Sequence, residues 1–191
     1  KNSTGSKKDT SFHEGDIIFQ ETVTMMSTAI KSGTKSRYTH VGLVLKYDNI
    51  FYVLEAVQPV KLTPIKKFIK RGVKSHYVLM RLKNSKHIIT EKRLQQIKLN
   101  AKKHIGKDYD LWLRWDDKKM YCSELVWKLL YRNLNLKIGK LKKLKDYDLD
   151  HTDTRRLIRL RYKGKAPLNE TIISPADMMK SPLLETIDIK N

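Results

Sequence analysis

The chain has 191 residues, 40% of them hydrophobic, and a formal net charge of +20 from 40 Lys and Arg against 20 Asp and Glu. That length and apolar content suit one domain with a real core, and the longest apolar runs are too short to span a membrane. The basic residues are spread along the chain, which favours a generally cationic surface, attractive to phosphates, lipid headgroups and acidic polymers, over a dedicated nucleic-acid arm.

Residues 1–12 read as a flexible polar tether ahead of one domain spanning 13–191. The first residue is Lys1 rather than Met, which gives the expectation of a removed export or lipoprotein signal, or of a trimmed end. Gly15-Asp-Ile-Ile-Phe19 follows as a short strand. A helix is expected over 21–31, with Val23, Met26 and Ile30 at helical spacing and Gly33 as its stop. Tyr38 to Tyr47 and Ile50 to Val57 are two β-rich runs flanking Asp48-Asn49, a hairpin signature. Thr63 and Pro64 read as the cap and first turn of a short helix through Ile69. His76 to Leu82 is a strand. Thr90 to Ile105 is a helix with Leu94, Ile97, Ala101 and Ile105 on its apolar stripe, closed by Gly106.

Met120 to Leu130 is the next amphipathic helix, and it starts at the chain's single cysteine, Cys122. A lone cysteine makes no intramolecular disulfide, so it is either a small buried hydrophobe or a reactive thiol. Its spacing to Leu125, Val126 and Leu129 suits the first role. Its place at a helix N-terminus suits the second, because unpaired N–H groups and the helix dipole stabilise a thiolate. Residues 135–165 are charged and weakly patterned and read as loops with at most one short element. Ser174-Pro-Ala-Asp177 opens a last short helix, capped by Ser174 with Pro175 in the first turn, and residues 185–189 close with a strand. Antiparallel strands with unalternated helices make the class α+β.

The hairpin fixes a geometry. With Asp48-Asn49 as the turn, cross-strand partners sum to 97, so Gly42 faces Glu55 and Val44 faces Val53. His40 and Glu55 then project from one face as diagonal neighbours. Thiol, imidazole and orienting carboxylate are the three roles of cysteine nucleophilic catalysis, and Cys122, His40 and Glu55 fill them. The other five histidines, His13, His76, His87, His104 and His151, show no metal-ligand spacing, and no glycine-rich phosphate loop is present, so no metal and no cofactor are expected. Trp112, Trp115 and Trp127, with Tyr109 and Tyr131, belong to the core or line a groove, with core favoured.

Gly15-Asp-Ile-Ile-Phe19, Tyr38-Thr-His-Val-Gly-Leu-Val44, Tyr52-Val-Leu-Glu-Ala56, Gly106-Lys-Asp-Tyr-Asp110, Tyr121-Cys-Ser-Glu-Leu-Val126 and Ile173-Ser-Pro-Ala-Asp177 together resemble the YiiX/YebB-like proteins, from the permuted branch of the NlpC/P60 superfamily of papain-like cysteine hydrolases. The order matters: His40 and Glu55 precede Cys122, as in permuted members. The resemblance implies a circularly permuted papain-like fold, an antiparallel sheet packed against helices, with the nucleophile at a helix N-terminus. It implies Cys122 as nucleophile, His40 as base and acid, Glu55 as third member, and Tyr109 with the Cys122 N–H at the oxyanion, Tyr121 being a rival for Tyr109's place. The implied substrate is an amide of a cell-wall or related peptide, with hydrolysis of a lipid-linked acyl ester or thioester, or acyl transfer, on the same triad as the alternative. The groove beside Cys122 discriminates: polar with a carboxylate-binding Arg or Lys for a peptide, deep and apolar for an acyl chain. The tether gives the expectation of the bacterial periplasm or envelope, with peripheral membrane association through a removed lipoprotein N-terminus, and a single cysteine suits the cytoplasm as well. A non-enzymatic basic module for nucleic acid or an anionic surface is the alternative of another class.

Overall fold

The computed structural model describes residues 12–191. The tether lies almost wholly outside these described residues, but its last member, Phe12, packs its ring against Phe51 and Tyr77. In chain order the main elements are β1 (Ile17–Gln20), α1 (Met25–Thr34), β2 (His40–Tyr47), β3 (Ile50–Glu55), β4 (Lys61–Pro64), α2 (Ile65–Arg71), β5 (Tyr77–Leu82), α3 (Ser85–Ile88), α4 (Glu91–Lys102), α5 (Cys122–Leu134), β6 (Lys142–Lys143), α6 (Thr152–Tyr162), β7 (Thr171–Ile172), α7 (Pro175–Met179) and β8 (Leu184–Lys190). Six strands make one antiparallel sheet in the order β4-β3-β2-β1-β5-β8, and β6 pairs with β7. This is the α+β arrangement expected from sequence.

The central strands are covered on both faces, which is why they lack a polar alternation. Ile17, Phe19, Leu43 and Leu45 join the larger core with Leu94 and Ile97 of α4 and Leu125 and Leu129 of α5. Ile18, Val44, Val53 and Leu79 point the other way, onto Ile65 and Phe68 of α2. The hairpin register is the one read from sequence: Leu43 opposes Leu54 and Val44 opposes Val53. Asp48 and Asn49 carry φ of 47° and 63°, the left-handed pair that matches strand twist in a two-residue turn. Gly42 lets the two strands close up, since a Cβ there would lie 2.2 Å from Val53 Cγ1 and 2.9 Å from the Leu54 carbonyl oxygen.

Four local expectations need correction. α1 starts four residues later than its apolar spacing suggested, because Thr24 caps it by accepting the Ser27 N–H. Val23 is left exposed, and the helix runs past Gly33 to end at left-handed Lys35. Thr63 is not a cap but part of β4, and Pro64 precedes α2 without a side-chain cap. α4 ends at Lys102, so Ile105 lies beyond the helix and is exposed. Residues 135–165 are not mainly loop: α6 is an 11-residue helix packed on α1. It was hard to read because only Thr154 and Leu157 are buried on it and Arg residues interrupt the pattern. The Ser174 cap and first-turn Pro175 of α7 are as expected. Among the described residues, no helix is long and apolar enough to cross a membrane.

Candidate active site

Cys122 is the first residue of α5, so its own amide makes no intrahelical bond. The helix packs on β2 and β3 and brings its N-terminus to the start of β2. Two neighbours of Cys122 pin the opposing chain. The Ser123 hydroxyl donates to the Ile173 carbonyl at 2.7 Å, and the Ile173 N–H donates to the Tyr121 hydroxyl at 3.2 Å. These bonds anchor the Ile173-Ser-Pro-Ala-Asp177 segment, with the Tyr121 hydroxyl oxygen as an acceptor.

His40, at the start of β2, is buried, with Nε2 2.6 Å from Glu55 Oε2. That leaves Nδ1 for the Cys122 thiol, which interacts with the ring strongly enough to raise its pKa. Phe68 stacks on the imidazole at 5.7 Å between centroids. Glu55 is fully buried and accepts four hydrogen bonds: besides His40, the Thr63 hydroxyl at 2.6 Å, Arg71 Nη1 at 3.0 Å and Arg71 Nη2. Both carboxylate oxygens are therefore fully engaged. Thr63 and Arg71 were not identified from sequence. A signal existed: once Phe68 packs on the sheet, Arg71, one helical turn on, shares its side.

The charges reinforce one another. Burial works against an imidazolium at His40, but hydrogen bonds and charge from Cys122 and Glu55 outweigh it and raise its pKa to about 9. Burial would raise Glu55, yet His40, Arg71 and Thr63 pull it down to about 2. Burial would also raise Cys122; the His40 hydrogen bond and charge, with Val41 and Ser123 N–H groups directed at the sulfur, hold it below its ordinary 9.0. Both shifts favour the proton on the ring and the charge on sulfur, the direction of a thiolate–imidazolium pair.

Tyr109 lines the same cavity as Cys122, and its phenol is kept protonated by burial and by the negative charge on the sulfur. The cavity is a narrow slot of about 90 Å³ between α1 and α6. Its lining is mainly apolar, with Met26, Ile30, Leu113, Leu157, Ile158 and Ile172 joined by the rings of Tyr109, Tyr121, Tyr147 and Tyr162, and among the described residues Arg161 is its one charged residue. The tryptophans divide: Trp127 is buried, whereas Trp112 is 42% exposed beside this region.

Residues 11–188 match the family described as permuted papain-like amidase enzyme, YaeF/YiiX, C92 family. The chain belongs to this family. It is 38% identical over 173 residues to the uncharacterized protein YiiX of Escherichia coli strain K12, covering 91% of this chain and 84% of that protein. The crystal structure of metalloprotein yiiX from Escherichia coli O157:H7 superimposes with a TM-score of 0.88 at 36% identity, over 93% of this chain and 97% of that one. The protein is thus an enzyme of a permuted papain-like amidase family.

That relative is called a metalloprotein, which disputes the expectation of no metal drawn from the sequence. The residues of this chain fit a metal poorly. Among the described residues no group of three or more His, Cys, Asp or Glu side chains is placed to hold an ion. At the site, Glu55 has no free oxygen to offer, which leaves one sulfur and one ring nitrogen.

Proposed function

We propose that the protein is a cysteine acyl hydrolase that cleaves an amide, ester or thioester of an aliphatic acyl chain, with Cys122 as nucleophile, His40 as base and acid and Glu55 as orienting carboxylate. The Cys122 sulfur attacks the acyl carbonyl carbon, and the C=O electron pair moves onto oxygen. The Cys122 N–H and the Tyr109 hydroxyl are the donors assigned to that oxyanion. Collapse breaks the bond to the leaving group, which takes the proton from His40 Nδ1. Water then attacks the thioester as His40 accepts its proton, and the fatty acid departs with the thiolate restored.

The observation that carries the acyl reading is the apolar slot with Cys122 in its wall. An alkyl chain loses water there and needs no polar partner. A peptide in the slot would turn backbone N–H and C=O groups toward mainly apolar walls, at about 1–3 kcal/mol for each unpaired group. The peptide amide expected first from sequence therefore becomes the second reading. One feature favours it: Arg161 at the slot could hold a substrate carboxylate. The test is a series of nitrophenyl esters and acyl amides of increasing chain length. Each buried methylene should raise kcat/KM about 4-fold, from ~0.8 kcal/mol of transfer energy, until the slot is full. Ile30→Trp should flatten the series by filling the slot. A flat series in the native enzyme, with turnover of peptide amides, would overturn the acyl reading.

A further inference from the structure

The slot beside Cys122 does not stand alone. Arg161 and Tyr162, at the end of α6, line both the slot and a wider neighbouring cleft of about 550 Å³. The two spaces differ sharply in chemistry. The slot is mainly apolar; the cleft is lined by Arg114, Arg161, Lys163 and Lys165 against two carboxylates, Asp116 and Glu170. Trp112 also lines the cleft and is tied to α6, because the Tyr162 hydroxyl donates to its carbonyl at 2.7 Å and the two rings meet edge to face.

Arg161 is the joint between the spaces and lacks an anion of its own. Among the described residues its guanidinium makes no ion pair, and its hydrogen-bond partner is Met26 Sδ at 3.5 Å, a weak acceptor. Asp110 is close enough to feel its charge, but the Asp110 oxygens already accept the Trp112 and Arg114 N–H groups at 2.9 and 2.6 Å. Burial has removed part of the water around the guanidinium without supplying a counter-charge. An uncompensated, partly desolvated cation is unfavourable until an anion arrives. A planar fork of N–H donors suits two oxygens of one phosphate. Cys122, Tyr109 and Arg161 all line the slot, so this guanidinium borders the same space as the nucleophile.

We propose that Arg161 is a substrate-anchoring residue for an anionic amphiphile, whose acyl chain fills the slot and whose phosphate group sits in the cleft, with the scissile carbonyl at Cys122 between them. Arg114, Lys163 and Lys165 supply the surrounding positive field. This deepens the acyl-hydrolase reading and rests on it. A phosphate is favoured over a single carboxylate because the four cations outnumber the two carboxylates lining the cleft.

The experiment is calorimetric titration with octyl phosphate, a non-hydrolysable probe, against inorganic phosphate, octyl glucoside and an acetylated dipeptide acid. Octyl phosphate should bind the native protein at least ten-fold more tightly than any of the other three, with affinity falling as salt rises. Arg161→Gln should remove that ten-fold advantage and Arg161→Lys should retain part of it, with melting curves confirming that both variants fold. The paired variant Lys163→Gln, Lys165→Gln, on exposed positions, should weaken octyl phosphate and steepen no other titration. Equal binding of octyl phosphate and octyl glucoside, or full binding by Arg161→Gln, would overturn the anchor. Inorganic phosphate binding as tightly as octyl phosphate would overturn the amphiphile, and a tighter dipeptide acid would replace it with a peptide. Turnover of a neutral hexanoyl ester by the native enzyme is read separately: its absence sinks the acyl-hydrolase reading, whereas the titrations bear on Arg161.

Discussion

Glu55→Gln separates charge from shape at the centre of the site. The carboxylate accepts from Thr63 and Arg71 Nη1 on one oxygen, and from His40 and Arg71 Nη2 on the other. A glutamine offers one oxygen and one NH2. The cheapest placement puts the NH2 toward Thr63, whose hydroxyl can turn and accept, and keeps the oxygen toward His40. Arg71 Nη1 then loses its partner, but the Arg71 side chain is 39% exposed and water can replace it. The stability loss should thus fall toward the low end of about 1–3 kcal/mol for a disturbed buried network. The chemical loss is larger. His40 keeps its tautomer, with Nδ1 still facing sulfur, but loses the carboxylate that helps hold its pKa at about 9 against the burial penalty. Each pKa unit lost is ~1.4 kcal/mol, or about ten-fold less thiolate on the acid side of the profile. The assay is the pH dependence of Cys122 alkylation by iodoacetamide. Glu55→Gln should alkylate about ten-fold more slowly at pH 6, with the acid limb moved toward that of a free thiol. An unchanged limb in a correctly folded variant would refute the electrostatic coupling of Glu55 to the thiol.

Turnover should fall as pH rises through about 9, where His40 loses the proton it gives to the leaving group, whereas native alkylation should begin at lower pH than for a free thiol and should not fall there; His40→Ala should abolish the acid-side reactivity. The same shifts act on stability with opposite signs. The raised His40 pKa contributes fully below its ordinary 6.5 and is lost as pH rises through about 9, whereas the lowered Glu55 pKa contributes above its ordinary 4.5 and is lost as pH falls through about 2, so urea midpoints should decline at both ends. Gly42→Ala should destabilise by about 1–3 kcal/mol, because its methyl meets Val53 and the Leu54 carbonyl, and calorimetry should register a lower Tm; an unshifted Tm would show that the strands part freely. Prolonged chelation of the purified enzyme should leave Cys122 reactivity unchanged, and elemental analysis should show no stoichiometric metal; a tightly held ion whose removal silences the thiol would reverse the donor argument.

What the sequence determined by itself is local. Side chains alternate with period two and a two-residue turn accepts only certain residues, so Asp48-Asn49 set the register that places His40 beside Glu55. A helix start is likewise written in a few neighbouring residues, so Cys122 was legible as a helix-terminal thiol, and the order of the motifs gave the family. Where side chains from distant segments converge, the sequence was mute. Thr63 looked like a helix cap because that is its local chemistry; only the sheet showed that its hydroxyl serves Glu55. Arg71 was one cation among 40 Lys and Arg until α2 folded over the hairpin. The slot was the least legible of all. It lies between α1 and α6, which meet where the Thr154 hydroxyl reaches the Ala29 carbonyl across 125 residues of sequence. A cavity is the space left between packed elements, so no residue encodes it locally, and its apolar walls and lone guanidinium exist only once the tertiary structure closes.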